Sequence, residues 1–138
     1  MLFVSIVLGP DDYTERLVFH IKRALDGRPI VAENTYAKMG YISSYEATFL
    51  EWCGRSEMTG PINVASNGVL SIQDLMDKID RVAGTTSQLV SKGEDESPLA
   101  PERDFYMDTT AAKQAGYQFQ HIDDWLDRLI EEEVRNHQ

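Results

Sequence analysis

Apolar residues in this chain fall into two kinds of pattern: short unbroken runs, and stretches that repeat every three or four positions. The first marks buried strands and the second marks amphipathic helices. Leu2-Phe3-Val4-Ser5-Ile6-Val7-Leu8 reads as a buried strand, closed by the turn Gly9-Pro10-Asp11-Asp12, whose acids suit a helix start. Leu17, Val18, Ile21, Ala24 and Leu25 then share one helical face, and Gly27 ends that helix. Arg28-Pro29 opens an extended piece, Ile30-Val31-Ala32, because proline cannot continue a helix and biases its neighbour toward extended backbone. Residues 33–42 carry no periodic pattern.

A second helix is expected to start near Ser43-Ser44 and stop at Gly54, with Glu46 and Glu51 outward and Ala47, Leu50 and Cys53 inward. Ile62-Asn63-Val64-Ala65 reads as the next strand. Ser71 with Asp74 three residues on resembles a capping box, and Ile72, Leu75, Met76, Ile79 and Val82 form one apolar stripe that ends at Gly84. Gln88-Leu89-Val90 is a short strand, and 91–102, with Gly93, Pro98 and Pro101, is a loop. Arg103 to Met107 is extended, Asp108 caps a short helix ended by Gly116, and His121 to Val134 is the last helix. Its inner face is Ile122, Trp125, Leu126, Leu129, Ile130 and Val134. The sum is a small mixed α/β domain in which helices dominate, taken as a single domain over 1–138.

Composition narrows the partners more than the fold. A net charge of −10, from 13 basic and 23 acidic residues with the basic ones scattered, argues against a nucleic-acid partner, which clustered Lys and Arg would have to hold. No apolar run approaches the ~20 residues that cross a bilayer, and no basic region precedes the opening run as a signal peptide requires. No membrane partner is therefore expected. The one cysteine, Cys53, cannot form an internal disulfide, which fits a cytoplasmic protein.

Several segments, in order, carry a family resemblance. They are Leu2 through Leu8-Gly9-Pro10; Arg23-Ala24-Leu25-Asp26-Gly27-Arg28-Pro29-Ile30; Gly40-Tyr41-Ile42 through Glu46; Gly60 to Ala83; and Arg103 to Tyr117. Together they resemble the substrate-binding lobe of the extended short-chain dehydrogenases/reductases, the NAD-dependent nucleotide-sugar epimerases, dehydratases and reductases. Phe3 stands where that family usually has Arg, Leu8 where it has an aromatic, Met39 where it commonly has Arg, and Tyr45 where it has the first of two acids. The resemblance implies a nucleotide-sugar ligand, with Arg103 against its diphosphate and Lys38 beside the substrate-facing position. A planar guanidinium suits paired phosphate oxygens. The residues alone leave other readings open: a surface ion pair of Arg103 with Asp104 or Glu102, and an ordinary solvated Lys38.

The resemblance also implies hydride transfer through NAD(P), with a Tyr and a Lys four residues later on one helical face. Four residues after Tyr13, Tyr36, Tyr41, Tyr45, Tyr106 and Tyr117 come Leu17, Gly40, Tyr45, Phe49, Thr110 and His121. The nine glycines are too widely spaced for the turn that lets backbone approach a pyrophosphate. No catalytic residue, metal ligand or cofactor site is therefore assigned, and NAD(P) enters only where a separate chain supplies the Rossmann half. His20, His121 and His137 lack metal-ligand spacing. His121 with Asp123 and Asp124 reads as a helix start in which the acids face the dipole, and Cys53 as a buried, inert thiol.

Two functions remain. One is a truncated or split nucleotide-sugar epimerase, dehydratase or reductase that keeps the substrate-side lobe and is not catalytic alone. The other is a stand-alone, non-catalytic binding or protein-interaction module derived from that fold. In either case the apolar opening strand calls for strand neighbours, from a homo-oligomer, from a separate Rossmann-domain chain or from a rebuilt local sheet. With no phosphate-cradling turn, these 138 residues should show no micromolar heat of binding for NAD(H) or NADP(H) by calorimetry. A micromolar isotherm overturns that expectation.

Overall fold

The computed structural model describes residues 2–10, 15–47, 62–114 and 116–138. Its strands are short and all paired in parallel. β1 (Leu2–Val4) runs beside β5 (Ile62–Val64), β2 (Ile6–Leu8) beside β4 (Tyr41–Ser43), and β3 (Ile30–Val31) beside β6 (Leu89–Val90). Leu2 lies opposite Ile62, Ile6 opposite Tyr41 and Ile30 opposite Leu89. Parallel partners cannot be joined by a tight hairpin, so the chain must cross over between them.

Helices lie within those crossovers. They are α1 (Arg16–Asp26), α2 (Ile72–Ala83), the short α3 (Thr110–Gln114) and α4 (Asp123–His137). α2 shows why its ends fall where they do. The Ser71 hydroxyl accepts from the Asp74 N–H at 3.1 Å, and the Asp74 carboxylate accepts from the Ser71 N–H at 3.1 Å. Two otherwise orphaned donors are thereby satisfied. At the other end Gly84, at φ 71°, turns its N–H back to the Asp80 carbonyl. Asp80 also gathers the Thr85 and Ser87 hydroxyls, at 2.6 and 2.7 Å, so the exit from the helix is fixed as well.

The apolar stripes of α1, α2 and α4 meet in one core. Leu17 and Ile21 from α1, Leu75, Met76 and Ile79 from α2, and Leu126 and Ile130 from α4 are all buried, together with Leu8, Tyr41 and Leu99 from the surrounding segments. Val18, Leu25, Val82 and Trp125 sit at the edges of the stripes and are half-buried. Lys78 fastens α2 to α4 at the margin of this core, its ammonium 2.7 Å from Asp127 and 2.9 Å from Asp123. Burial would lower the Lys78 pKa, but these two carboxylates outweigh it and raise it.

Several expectations need correction. The opening run is not one strand: it breaks at Ser5, and its halves pair with different partners. β4 starts at the end of the stretch that carried no pattern and takes in Ser43, where the second helix was expected to start; Tyr41, Ile42 and Ser43 are all buried and so do not alternate. Helical backbone begins at 44 and is described only to 47; Leu50, Glu51, Cys53 and Gly54 lie outside the described residues. Glu46 does not point simply outward. It is half-buried and accepts from the Gln120 N–H at 3.3 Å, and burial outweighs that bond to raise its carboxyl pKa. Arg103 to Met107 forms no strand beyond a single bridge at Phe105, and the last helix runs from 123 to 137 rather than 121 to 134.

Leu126 and Ile79 are fully buried at the heart of the three-helix core. Truncating either to alanine should cost about 2–5 kcal/mol, a large part of the ~5–15 kcal/mol of a typical domain. Chemical denaturation of both variants checks this. Midpoints that barely move would mean the helix faces are assigned the wrong way round.

Candidate functional site

The two basic residues singled out from the sequence lie on neighbouring segments that run side by side. Asn34 turns the first segment, its side-chain carbonyl accepting from the Tyr36 and Ala37 N–H groups at 2.9 and 3.0 Å. The Asn34 amide then donates to the Glu102 carbonyl at 2.9 Å. Further along, the Lys38 N–H donates to the Asp104 carboxylate at 2.8 Å and the Phe105 N–H to the Lys38 carbonyl at 2.7 Å. The Gly40 N–H donates to the Phe105 carbonyl at 3.0 Å. Met39 is the hub of this ladder: it bridges Phe105 on one side and exchanges both backbone bonds with Leu70 on the other, at 2.8 and 3.0 Å.

Lys38 is committed. Its ammonium lies 3.2 Å from the Asp74 carboxylate, the same group that closes the α2 cap. Partial burial would raise the Asp74 pKa, but the Ser71 N–H, the Lys38 ammonium and the Ser71 hydroxyl outweigh it and hold the carboxyl below its usual range. Lys38 therefore ties the ladder to the start of α2. Arg103 is the contrasting case. It is exposed and makes no hydrogen bond or ion pair with any other described residue. Among the described residues no surface pair with Asp104 or Glu102 is formed; one Asp104 oxygen accepts from the Lys38 N–H. The structure thus brings the two segments together, and of these two basic residues Arg103 is the one without a side-chain partner among the described residues.

Three exposed aromatic residues flank the same strip: Tyr36, Phe105 and Tyr106. Sequence reasoning passed over them because a lone aromatic in a loop carries no periodic signal. Beside Tyr106 a cleft of about 160 Å³ is walled by Gly40, Ser66, Gly68, Thr109 and Lys113. A Cβ at Gly40 would lie 3.1 Å from that of Tyr106, and one at Gly68, which sits at φ 93°, would lie 2.9 Å from the His121 ring. Only glycine suits the second position, because the backbone conformation and the space both exclude a side chain. A second cleft of about 160 Å³ opens at the carboxyl ends of β2 and β4, between Pro10, Tyr45, Trp125 and Arg128.

The remaining candidates are structural. The His121 N–H donates to Asp124 at 3.2 Å, and the His121 ring accepts from the Asp123 N–H at 3.1 Å, so these residues organise the start of α4. Asp123 is engaged with Lys78, which lowers its pKa. In the acidic loop, Asp95 pairs with Arg23 at 3.2 Å. Among the described residues no group of three or more His, Cys, Asp or Glu side chains could hold a metal ion. Tyr41 is fully buried, and burial, opposed by the charge of Arg16, drives its hydroxyl pKa upward. No described helix is long and apolar enough to cross a membrane.

No protein-family model matches the sequence, and neither does any curated protein. Solved structures do match. The chain is similar to the UDP-glucose 4-epimerase of Thermus thermophilus, in complex with NAD, at 15% identity and a TM-score of 0.73, over 97% of this chain and 45% of that one. It is similar to the UDP-glucose 4-epimerase of Thermotoga maritima, with UDP-glucose, at 17% identity and a TM-score of 0.73, over 97% and 44%. It also matches the dTDP-glucose 4,6-dehydratase of Bacillus anthracis, in complex with NAD, at 15% identity and a TM-score of 0.70, over 97% and 42%. The chain spans less than half the length of these structures. Its small mixed α/β fold is thus similar to part of the fold of these epimerase and dehydratase structures.

Proposed function

We propose that these residues are the substrate-side lobe of a nucleotide-sugar epimerase, dehydratase or reductase, and that they bind a nucleoside diphosphate-sugar through Arg103. On this reading the lobe is not catalytic alone, and the dinucleotide is held by polypeptide outside the 138 residues. The observation that carries the proposal is the lopsided coverage: 97% of this chain aligns with under half of enzymes solved with NAD or UDP-glucose. The chemistry of the chain agrees with that division of labour, since the Tyr-x-x-x-Lys pair and the close-spaced glycines are absent from its sequence.

The diphosphate is the charged part shared by such ligands. On a chain of net charge −10 an anion is repelled at long range, so a local donor has to dominate binding. Arg103 supplies a fork of donors that matches phosphate oxygens and has no competing carboxylate on it. Lys38 contributes indirectly, by holding the ladder on which Arg103 stands. The alternative, a non-catalytic binding module derived from this fold, is favoured by Met39, which is buried in the core where the family resemblance expects a substrate-facing Arg.

Chemical-shift titration with UDP-glucose and dTDP-glucose separates the two. The proposal expects perturbation around Arg103, and Arg103→Ala should weaken binding by about 1.5–3 kcal/mol, the scale of hydrogen bonds to a charged group. Arg103→Lys should recover only part of that loss, because an ammonium lacks the planar fork. Lys38→Met should leave most of the affinity and cost stability by less than ~1 kcal/mol, as its pair with Asp74 is half exposed. No perturbation near Arg103 at millimolar ligand removes the ligand reading.

A further inference from the structure

His20 is completely buried on the inner face of α1, an unusual place for a titratable ring. Its Nδ1 lies 2.6 Å from the Arg16 carbonyl oxygen and its Nε2 lies 2.6 Å from the Ser97 hydroxyl. A carbonyl only accepts, so Nδ1 carries the proton and donates. Nε2 then holds a lone pair and accepts from Ser97 O–H, while Ser97 Oγ accepts from the Leu99 N–H at 3.1 Å. Every polar atom of the chain Arg16–His20–Ser97–Leu99 is satisfied in one arrangement only, with the imidazole neutral. The pairing resembles a nucleophile–base dyad, but the ring is wholly buried and Ser97 nearly so, leaving no access for a substrate.

What the dyad does hold is a segment. Residues 91–101 lie against α1 and β3 and are held there at a few points. Ser97 donates its N–H to the Val31 carbonyl at 2.8 Å and its hydroxyl to His20, and Leu99 is buried in the three-helix core. One helical turn beyond His20, Arg23 reaches Asp95 at 3.2 Å and lies 4.8 Å over the Phe19 ring. Asp95 itself sits at φ 59°, an unfavourable backbone for a non-glycine residue. The charged and titratable groups around the ring are Arg16 and Arg23 on its own helix, Asp95 reached through Arg23, and Tyr41 of β4 reached through Arg16.

We propose that His20 and Ser97 form a proton-operated latch that frees residues 91–101 from α1 in acid. Protonating Nε2 turns the acceptor of the Ser97 bond into a second donor, strands the serine proton, and places an imidazolium one turn from the Arg23 guanidinium. Opening the segment relieves all three by giving the ring to water. Burial, opposed by the Arg16 carbonyl and helped by the Arg23 charge, lowers the closed-state pKa from 6.5 to about 4. The sign follows from linkage. The opened ring binds a proton below pH 6.5 and the closed ring only below about 4, so the closed form is fully favoured above 6.5 and loses ground between 6.5 and 4. The segment runs directly into the ladder that carries Arg103, which keeps its own hydrogen bonds to residues 34–40.

Native-state amide hydrogen exchange on the full chain, corrected for intrinsic rates, tests the latch. The Ser97 and Leu99 amides should open more readily than the Leu126 amide of α4 at every pH. Their opening constants should rise about 30-fold between pH 7.5 and pH 5, the ratio that the two pKa values dictate. His20→Gln, which keeps an acceptor for Ser97 but does not titrate, should lose that rise. Should this variant fail to fold, the wild-type profile alone decides. Opening constants at Ser97 and Leu99 that are independent of pH, or equal to that of Leu126, overturn the proposal.

Discussion

The structure depends on the mutual burial of three helix faces. Pairs of two- and three-residue parallel strands have too few rungs to hold themselves together, and parallel pairing is the less stable kind per residue. The stripes of α1, α2 and α4 supply what the strands lack. Each offers one apolar face to the other two, and β2, β4 and Leu99 add their side chains to the same core. Burying a large aliphatic side chain is worth about 1.5–3 kcal/mol, so a dozen such residues outweigh any single polar contact in the molecule. Lys78 between Asp123 and Asp127, and Asp74 between Ser71 and Lys38, then fix how the faces meet rather than whether they meet.

The proposed ligand face is an outgrowth of that core. Met39 is buried in it, and the residues on either side of Met39 build the surface. The Lys38 backbone and Gly40 hold the segment from Glu102 to Tyr106, while the Lys38 side chain returns to the cap of α2. Arg103 therefore stands on a rung that is tied to a helix end, with exposed aromatics beside it. An arginine whose neighbouring backbone is held in this way loses less backbone freedom on binding than one on a free loop. Of the carboxylates nearby, Asp74 is engaged by Ser71 and Lys38, and Asp104 accepts from the Lys38 N–H.

What could be read in the sequence was local. The stripes of α1, α2 and α4 follow a 3.6-residue period, and the Ser71–Asp74 box and the glycines at 27 and 84 are signals contained within a few positions, so the helices were legible almost to their ends. β4 was not, because a strand buried on both faces has no alternation and three residues are too few to stand out. The break at Ser5 was hidden for a different reason: it is set by partners at 41–43 and 62–64, which the opening run does not encode. The site divides in the same way. Arg103 could be named only through the family resemblance, and the pair of Lys38 with Asp74, 36 positions apart, gives no sign in either neighbourhood. His20 and Ser97, 77 positions apart, are still further beyond local reading.

If the three helix faces form one core, they must be lost together. The chain offers a direct probe, since Ile21, Ile79 and Ile130 are fully buried and lie one on each helix. Isotope labelling of isoleucine methyl groups, followed by NMR through a urea titration, reads all three in one sample. A single cooperative core predicts that the three native signals disappear at one midpoint with one slope. A separate midpoint for any of them, with the other two still native, would contradict the account.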